Sequence, residues 1–553
     1  MSGERPAYTT YCDYRRGHDA NDWQDARRAV QRSRTQRPSL QAGALRSLVC
    51  GGELHEPSGA STRQHIGNSA SRIVEARSSK ALAETMLRSA STDAIIRGMT
   101  DLAGIDATRV GRLEAIENAR FADERPESLA RTERGRRTMP LGVPSAWMDD
   151  LYEHPPLWVA TGKGARFVDV DGHEYIDMFI ADMSAFCGHA PDPVIEAVSR
   201  RMALGNQFLL ASDDALEVAE HLATRYRMPK WQFTHSATTA NTEILRLARR
   251  ATGRQVVLMF DGKYHGHGDA TLVVLDGDDV APEYEGLPSS VTGQARVVGF
   301  NDVATLERAL APNDVALVLA EPAMTNAGFL LPDAGFHDTL RRLTREHGTL
   351  LAIDETHTLV TAYAGLARSW DLEPDFLTVG KAIAAGVPLG AYGMTDEIAR
   401  LFRALPNDSH VSGAALLEVA TGGTLFANAL AMAAGRAALT EVLTEKAFAR
   451  TAELGTRIAS GLRAAIREAG LPWSVTQEGA HAAYFFCAEP PRTAAQSRAA
   501  DDIAFRSLLR VYFANRGVWE SGWWLGPTVS VAHTVADVDR YVSVFAEFLS
   551  DVT

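Results

Sequence analysis

Two short apolar runs in the middle of the chain each carry a charged residue at their end, and this pattern constrains the fold most strongly. Residues 349–358 (TLLAIDETHT) contain Asp354, and residues 376–389 (FLTVGKAIAAGVPL) contain Lys381, 27 residues further along. Both runs are apolar and β-rich, and small or polar residues follow them, as is typical of buried parallel strands. In a doubly wound sheet the chemistry collects at the carboxyl ends of the strands. We therefore expect Asp354 and Lys381 to share one edge of an α/β sheet.

An amine and a carboxylate at one sheet edge suggest a site for pyridoxal 5'-phosphate (PLP). The lysine would hold the cofactor as a Schiff base, and the aspartate would keep the pyridine nitrogen protonated so that the ring accepts electrons. Each residue alone also fits another interpretation. Asp354 with Glu355 resembles the metal-binding strand end of a nucleotide-binding protein, and Lys381 resembles a solvated turn residue.

A third segment upstream favours the cofactor interpretation. In residues 231–250 (WQFTHSATTANTEILRLARR) a short β-type run passes into an amphipathic helical pattern, so residues 236–239 lie at a predicted helix N-terminus. Free backbone N–H groups and the positive end of the helix dipole bind phosphate there, and the hydroxyls of Ser236 and Thr238 add donors. Simple N-capping is the alternative. No P-loop lysine follows, which argues against a nucleoside triphosphate.

The next predicted strand leads into a loop with an aromatic residue. Residues 255–260 (QVVLMF) precede residues 261–269 (DGKYHGHGD), whose glycines permit a tight exposed loop. Tyr264 would offer an aromatic face to a pyridine ring at the strand end. His265 and His267 have the spacing of two metal ligands, but no third ligand stands at a suitable distance in the sequence, so we predict no metal site.

From about residue 140 to its end, the chain resembles the class III, fold-type I PLP-dependent aminotransferases, and within them the branch of glutamate-1-semialdehyde 2,1-aminomutase. Six fragments stand in the family's order over about 200 residues, and so many in order make coincidence improbable. They are Ser236-Ala237-Thr238, Tyr264 to His267, Glu321-Pro322 with Asn326, Asp354-Glu355, Gly380-Lys381, and Gly423-Thr424 followed by Asn428.

The resemblance implies a fold, a cofactor and a set of site residues. The fold would be a large parallel-sheet α/β domain with a smaller α+β domain built from both terminal parts of the chain, and the active unit would be a homodimer. Lys381 would be the Schiff-base lysine and Asp354 the partner of the pyridine nitrogen. The other implied cofactor contacts are Ser236, Ala237 and Thr238 at the phosphate, Tyr264 on the ring, Glu321, His357 near the ring hydroxyl, and Thr424 at the phosphate of the neighbouring subunit.

The chain also departs from the family pattern. Ala237 stands where glycine is common, Thr356 where valine is usual, and His357 where glutamine or methionine is usual. Residues 140–150 (PLGVPSAWMDD) contain no arginine, although the aminomutases carry one there that binds the substrate carboxylate. We expect Trp147 to wall the pocket instead.

Composition narrows the class of protein. The formal charge of −13 and a pI of about 5.7 argue against nucleic acid or an anionic membrane as the main partner. No run approaches the ~18 apolar residues of a membrane span, and the polar N-terminus is no secretion signal. Four scattered cysteines indicate reduced thiols. These features predict a cytoplasmic enzyme.

Four parts follow one another along the chain. Residues 1–98 are predicted to be disordered or mis-assigned, and dispensable, because no aromatic residue occurs between Trp23 and Phe121. Residues 99–213 would form an N-terminal helical arm and a small-domain segment. Residues 214–428 would form the PLP-binding large domain, and residues 429–553 the C-terminal small domain. One helix is predicted at 81–98 and a helical stretch at 105–136.

Three functions compete. A PLP-dependent aminotransferase that moves an amino group from a small-molecule donor to a keto acceptor is the favoured prediction. An aminomutase, which shifts the group within one molecule, would use the same lysine and would need a lid to retain its intermediate. Residues 276–294 are long and polar enough to supply that lid, and an ordinary surface loop fits them equally well. A non-catalytic PLP-binding regulator is the remote alternative.

Overall fold

The structure is a computed structural model that describes residues 102–152, 154–277, 279–402, 419–520 and 525–553. The helix predicted at 81–98 and the disorder predicted for residues 1–98 lie outside the described residues. The division of the chain into four domains stays a prediction.

The elements are numbered along the chain. The strands are β1 Val159–Lys163, β2 Arg166–Asp169, β3 Glu174–Asp177, β4 Lys230–Thr234, β5 Val256–Phe260, β6 Val273–Asp276, β7 Asp279–Pro282, β8 Ala295–Val298, β9 Val315–Ala320, β10 Leu350–Asp354, β11 Phe376–Val379, β12 Gly390–Met394, β13 Ser474–Glu478, β14 His481–Phe485 and β15 Val518–Trp519. The α-helices are α1 Ala107–Asp123, α2 Pro126–Gly135, α3 Trp147–Asp150, α4 Asp192–Leu204, α5 Asp213–Tyr226, α6 Ala237–Thr252, α7 Val303–Leu310, α8 Phe336–Glu346, α9 Gly365–Ser369, α10 Asp396–Ala399, α11 Ala429–Ala437, α12 Glu445–Glu468, α13 Ala494–Ala499, α14 Ile503–Ala514 and α15 Val535–Val552. Short 3-10 turns occur at Pro140–Gly142, Asp269–Thr271, Ser289–Gln294, Thr325–Ala327, Thr358–Val360 and Lys381–Ala384, and a π-helical turn at Ala438–Val442.

A seven-stranded sheet in the order β4-β12-β11-β10-β9-β5-β8 forms the centre of the molecule. Strands β11, β10, β9, β5 and β8 run parallel to one another. Helices lie between most of them along the chain, as parallel crossovers require. The expected α/β fold is confirmed.

Both faces of this sheet are buried. Along β9, Val318 belongs to one hydrophobic cluster and its neighbour Leu319 to another. In β5, Leu258 belongs to the first cluster and Met259 to the second. Since successive strand residues point to opposite faces, each face carries its own core. This double burial explains why the strands read as continuous apolar runs in the sequence.

A second sheet joins the two terminal parts of the described chain. Strands β1, β2 and β3 form an antiparallel ribbon, and β15 pairs parallel to β3 through Val518 and Ile176. An aromatic cluster that includes Phe121, Tyr175 and Trp519 packs beside it. The smaller α+β part is thus built from both terminal parts, as expected.

The sheet departs from the predicted parallel arrangement in one strand. β12 runs antiparallel to both β11 and β4. The connection from Val379 to Gly390 is too short for a crossover helix, and parallel strands need a connection of about a dozen residues or more. The prediction of a parallel sheet in the large domain was therefore wrong for this strand.

Two other predicted elements differ in detail. The helical stretch at 105–136 is two helices, because Pro126 disfavours helical backbone at Arg125, whose φ is −127° and ψ 50°. The first of them, α1, packs against α14 and α15 of its own chain. Residues 276–294 are not one loop, since β6 and β7 form a hairpin that turns at Gly277.

Within the described residues, no helix is long and apolar enough to cross a membrane.

Candidate active site

The carboxyl ends of β10, β11 and β4 meet the start of the antiparallel strand β12 at one edge of the central sheet. Asp354 ends β10 and pairs with Thr378 of β11, three residues before Lys381. At the neighbouring positions Val379 pairs with Ala391, and Gly390 pairs with Thr234 at the end of β4. Register therefore brings Asp354, Lys381 and the segment after Thr234 to the same edge, as the sequence predicted.

Asp354 is a buried carboxylate with four hydrogen-bond donors. Its Oδ2 accepts from Asn241 Nδ2 at 2.8 Å and from His265 Nδ1 at 3.0 Å, and its Oδ1 accepts from the backbone N–H of Thr356 at 3.0 Å and from the Thr356 hydroxyl. Burial alone would raise the pKa of Asp354, but the hydrogen bond and charge of His265, with the Thr356 and Asn241 bonds, hold it below its usual value. Asp354 is therefore ionised at neutral pH.

Lys381 stands at the start of a 3-10 turn in a left-handed conformation, with φ 46°. Its Nζ donates to the Asp182 carboxylate and to His357 Nε2. The lysine thus lies between an acidic and a basic group at the edge of the sheet. His357 was predicted to lie here, whereas Asp182 was not.

A chain of hydrogen bonds runs from His357 to Glu321. Thr325 donates its hydroxyl proton to Glu321 and stands 2.6 Å from His357 Nδ1. A hydroxyl has one proton, so Thr325 must accept from His357 Nδ1–H. His357 Nε2 is then an acceptor and faces the lysine amine. Glu321 Oε1 also accepts from the backbone N–H of Tyr264 at 3.4 Å, which ties this chain of bonds to the aromatic loop.

Asp182 is held by an unusual backbone segment. Ile180, Ala181, Asp182 and Met183 all have positive φ, from 46° to 67°. Left-handed backbone costs roughly 1–2 kcal/mol for each residue with a side chain, so this turn stores strain. Asp177 supports it, because its Oδ1 accepts from the Ile180 N–H at 2.8 Å while its Oδ2 contacts His189 Nε2 at 2.8 Å.

The predicted phosphate turn is a helix N-terminus. Ser236 caps α6 and accepts from the Thr239 N–H, and the first backbone N–H groups of the helix, Ala237 and Thr238, have no acceptor within it. The turn is crowded on its sheet side. A Cβ on Gly390 would stand 2.4 Å from the Ser236 backbone, and one on Gly266 would stand 2.2 Å from Thr238 Oγ1. These glycines let the turn approach the sheet edge closely.

Aromatic rings line the opening of the site. Trp147 lies 5.6 Å from the Tyr264 ring and 5.3 Å from the His267 ring, between centroids. The expectation that Trp147 walls the pocket is consistent with this packing. His265 turns the other way, onto Asp354, so the two histidines of this loop have different partners.

Thr424 is the predicted site residue that lies apart from the others. It is exposed, and its carbonyl accepts from Gln207 Nε2. Phe426, two residues later, packs its ring 5.4 Å from His235, next to the phosphate turn. Thr424 therefore belongs to a surface segment beside this turn.

Sequence reasoning missed several residues of the site. Asp182 lies in a loop without periodicity, and nothing in its neighbours predicts four left-handed residues in a row. Thr325 lies between Glu321 and Asn326, both of which were part of the recognised pattern. Asn241 stands one helical turn after Ala237, on the inner face of α6, and this spacing could have indicated it.

The donor set fits PLP. A primary amine, an ionised carboxylate and free N–H groups at a helix N-terminus lie at one sheet edge, and these are the groups needed for an aldehyde, a protonated ring nitrogen and a phosphate.

Comparison with known proteins agrees with this assignment. A family model described as aminotransferase class-III matches residues 148–503. Glutamate-1-semialdehyde 2,1-aminomutase of Acidobacterium capsulatum is 32% identical over 433 residues, which are 75% of this chain and 96% of that protein. The structure of a glutamate-1-semialdehyde-aminomutase from Pseudomonas aeruginosa PAO1 in complex with PMP has a TM-score of 0.77 at 36% identity, and covers 81% of this chain and 100% of that one.

An aminotransferase is also similar. The β-phenylalanine aminotransferase of Variovorax paradoxus has a TM-score of 0.71 at 28% identity, and covers 80% of this chain and 97% of that one. The chain therefore belongs to the class III aminotransferase family, whose members are fold-type I enzymes that use pyridoxal phosphate.

Proposed function

We propose that this protein transfers amino groups through Lys381, with PLP as its cofactor. The observation that carries the proposal is the meeting of the Lys381 amine, the ionised Asp354 carboxylate and the N-terminus of α6 at one edge of the sheet. When bound, PLP supplies an electron sink that stabilises negative charge on the carbon next to the amine.

Each residue of the site then has a defined task. Asp354 holds a proton on the pyridine nitrogen, and His265 and Asn241 fix the orientation of its carboxylate. Ala237 and Thr238 bind the phosphate through backbone N–H groups, and Ser236 orders that turn. Tyr264 would cover one face of the ring.

Lys381 also moves the proton between the substrate carbon and the cofactor. It needs a neutral amine to act as a base, and His357 Nε2 is placed to accept a proton from it. Thr325 and Glu321 keep His357 in the tautomer that leaves Nε2 free. The same lysine therefore acts as nucleophile and as acid–base group.

Of the two reaction types, the aminomutase is better supported by the relatives than the transaminase that the sequence favoured. Among the described residues, the β6–β7 hairpin is a candidate for the lid. An ion pair between the buried Lys263 and Glu283, with 3.4 Å between Nζ and Oε2, holds the hairpin in place. Transaminase activity is the second candidate, because Trp147 occupies the segment in which the aminomutases carry their arginine.

One experiment separates the two reactions. Purified holoenzyme with its cofactor in the amine form, pyridoxamine 5'-phosphate (PMP), is given glutamate-1-semialdehyde without any keto acid. The amount of 5-aminolevulinate, the product of the aminomutase, is then measured. Sustained formation identifies the aminomutase. Consumption of one equivalent of the semialdehyde, with release of 4,5-diaminovalerate and further turnover only when an amino donor is added, identifies a transaminase. Failure of all amines and semialdehydes to react would contradict amino-group transfer and leave the non-catalytic regulator.

The same proposal includes a homodimer. The segment that contains Thr424 is exposed, and Leu425 beside it is 60% exposed. Phe208, Leu209 and Leu210, which follow the Gln207 that bonds Thr424, are 52–77% exposed. A contiguous apolar surface of this kind indicates a protein interface. A second copy that covers it would bring Thr424 towards the partner's phosphate turn. A cytoplasmic location remains the prediction from the composition.

A further inference from the structure

We infer that Asp182 receives the ammonium group of the substrate and selects amines whose amine-bearing carbon carries no carboxylate. This inference rests on the proposed function and names its substrate class. It applies to an aminomutase and to a transaminase alike.

Geometry places the Asp182 carboxylate where the substrate nitrogen must arrive. The carboxylate contacts Lys381 Nζ, and its Oδ1 lies 3.4 Å from His357 Nε2. With PLP bound, the substrate nitrogen would take the place of the lysine nitrogen beside Asp182. An incoming ammonium group therefore reaches the position at which Asp182 already holds an ammonium group.

The surroundings keep Asp182 charged. Burial by itself would raise its pKa, but the Lys381 ammonium in contact with the carboxylate outweighs burial and holds the pKa well below its usual value. The hydroxyl of Tyr264 is the other titratable group that faces it, and its pKa is raised mainly by burial and further by the Asp182 charge. Asp182 is therefore ionised at neutral pH beside this ammonium group.

A fixed anion at this position repels a second one. The amine-bearing carbon is one bond from the substrate nitrogen, so a carboxylate on that carbon would lie within a few ångströms of Asp182, and like charges at that distance are strongly disfavoured. A methyl, aryl, methylene or formyl group in the same place carries no such penalty. The aromatic rings of Trp147, Tyr264 and His267 provide an apolar wall for the rest of the molecule.

The strained turn supports a functional role for this residue. Four consecutive left-handed residues persist only when the surroundings enforce them, and Asp177 with His189 does so here. The turn gives Asp182 a fixed position rather than a mobile one. Asparagine tolerates left-handed backbone well, so Asp182→Asn removes the charge and keeps the turn.

The test compares matched amines on the PLP holoenzyme. Loss of the absorbance of the lysine-bound cofactor is followed with 1-phenylethylamine against phenylglycine, and with 2-aminobutane against 2-aminobutyrate. Each pair differs by a methyl group or a carboxylate on the amine-bearing carbon. The wild type should react faster with the amine lacking the carboxylate, and Asp182→Asn should reduce that preference by about tenfold or more. Asp192→Asn, an exposed carboxylate paired with Lys163, is the control and should not change it.

A second measurement does not depend on turnover. The absorbance of the lysine-bound cofactor is titrated with pH, because an adjacent anion favours the protonated nitrogen. The midpoint should fall by about one pH unit or more in Asp182→Asn. An unchanged preference with an unchanged midpoint would overturn the inference, as would a wild type that reacts only with the carboxylate-bearing amines. A wild-type protein that never forms this absorbance would instead overturn the proposed function, and the inference with it.

Discussion

At the residue scale, the charge of Asp354 is the feature of the site that is easiest to test in isolation. Asp354→Asn keeps the size of the side chain and its contact with Asn241, but it removes the anion that holds a proton on the pyridine nitrogen. We expect the half-reaction with amines to slow by about a hundredfold or more, as loss of an acid–base partner does. Stopped-flow absorbance measures this rate. Asp371→Asn changes an exposed carboxylate and should leave this rate unchanged. An Asp354→Asn variant that reacts as fast as the wild type would show that Asp354 has no role in the mechanism.

Thr325 gives a second residue-scale prediction. Thr325→Val keeps the shape but leaves Glu321 and His357 without their shared partner, at a cost of about 1–3 kcal/mol in the free energy of unfolding for unsatisfied buried groups. Proton transfer by Lys381 should slow because the tautomer of His357 is no longer fixed. Thr325→Ser keeps the hydroxyl and should restore both quantities. A serine variant as impaired as the valine variant would show that packing, and not the hydrogen bond, is what matters.

How far the sequence predicts the site depends on the kind of residue. Asp354 ends an apolar strand, Lys381 and Ser236 each lie two residues after one, and strand register alone brings the three together. Asp182 reaches the same place through a strained turn held by tertiary contacts, which leave no local signal. Thr325 is hydrogen-bonded to both Glu321 and His357. These two residues follow β9 and β10, so their closeness is visible only once the two strands are known to be adjacent.

At the scale of elements, the left-handed turn at residues 180–183 makes a prediction about stability. Glycine lacks the Cβ that makes φ 49° unfavourable at Ala181, so Ala181→Gly should stabilise the protein by up to about 1 kcal/mol. Ala464→Gly, on an exposed face of α12, should destabilise it by about 1 kcal/mol instead. Denaturant unfolding measures both. Equal destabilisation by the two changes would show that Ala181 is not strained in solution.

The elements themselves were mostly predictable, and the exceptions have physical causes. Buried strands such as β9 stand out because both faces are apolar. The antiparallel direction of β12 depends on the short connection after Lys381, and apolar runs look the same in either direction. The β6–β7 hairpin was missed because its strands are only four residues long and half-exposed, and the polar run at 276–279 (DGDD) resembles a loop.

At the scale of the whole molecule, the proposed dimer makes a direct prediction. Leu210→Asp places a charge in the exposed apolar surface and should shift the protein from dimer to monomer in light scattering, with loss of activity as Thr424 is withdrawn. Val535→Asp, at the exposed start of α15, should leave the mass unchanged. A monomeric wild type with full activity would contradict the cross-subunit site.

The most direct measurement of the central claim is chemical. The holoenzyme is reduced with borohydride, which fixes a Schiff base as a stable amine, and the protein is digested and analysed by mass spectrometry. We predict that the pyridoxyl phosphate group is found on the peptide that contains Lys381 and is absent from a Lys381→Ala variant treated in the same way. A label on another lysine, or an equal label in the variant, would contradict the assignment of Lys381 as the residue through which amino groups pass.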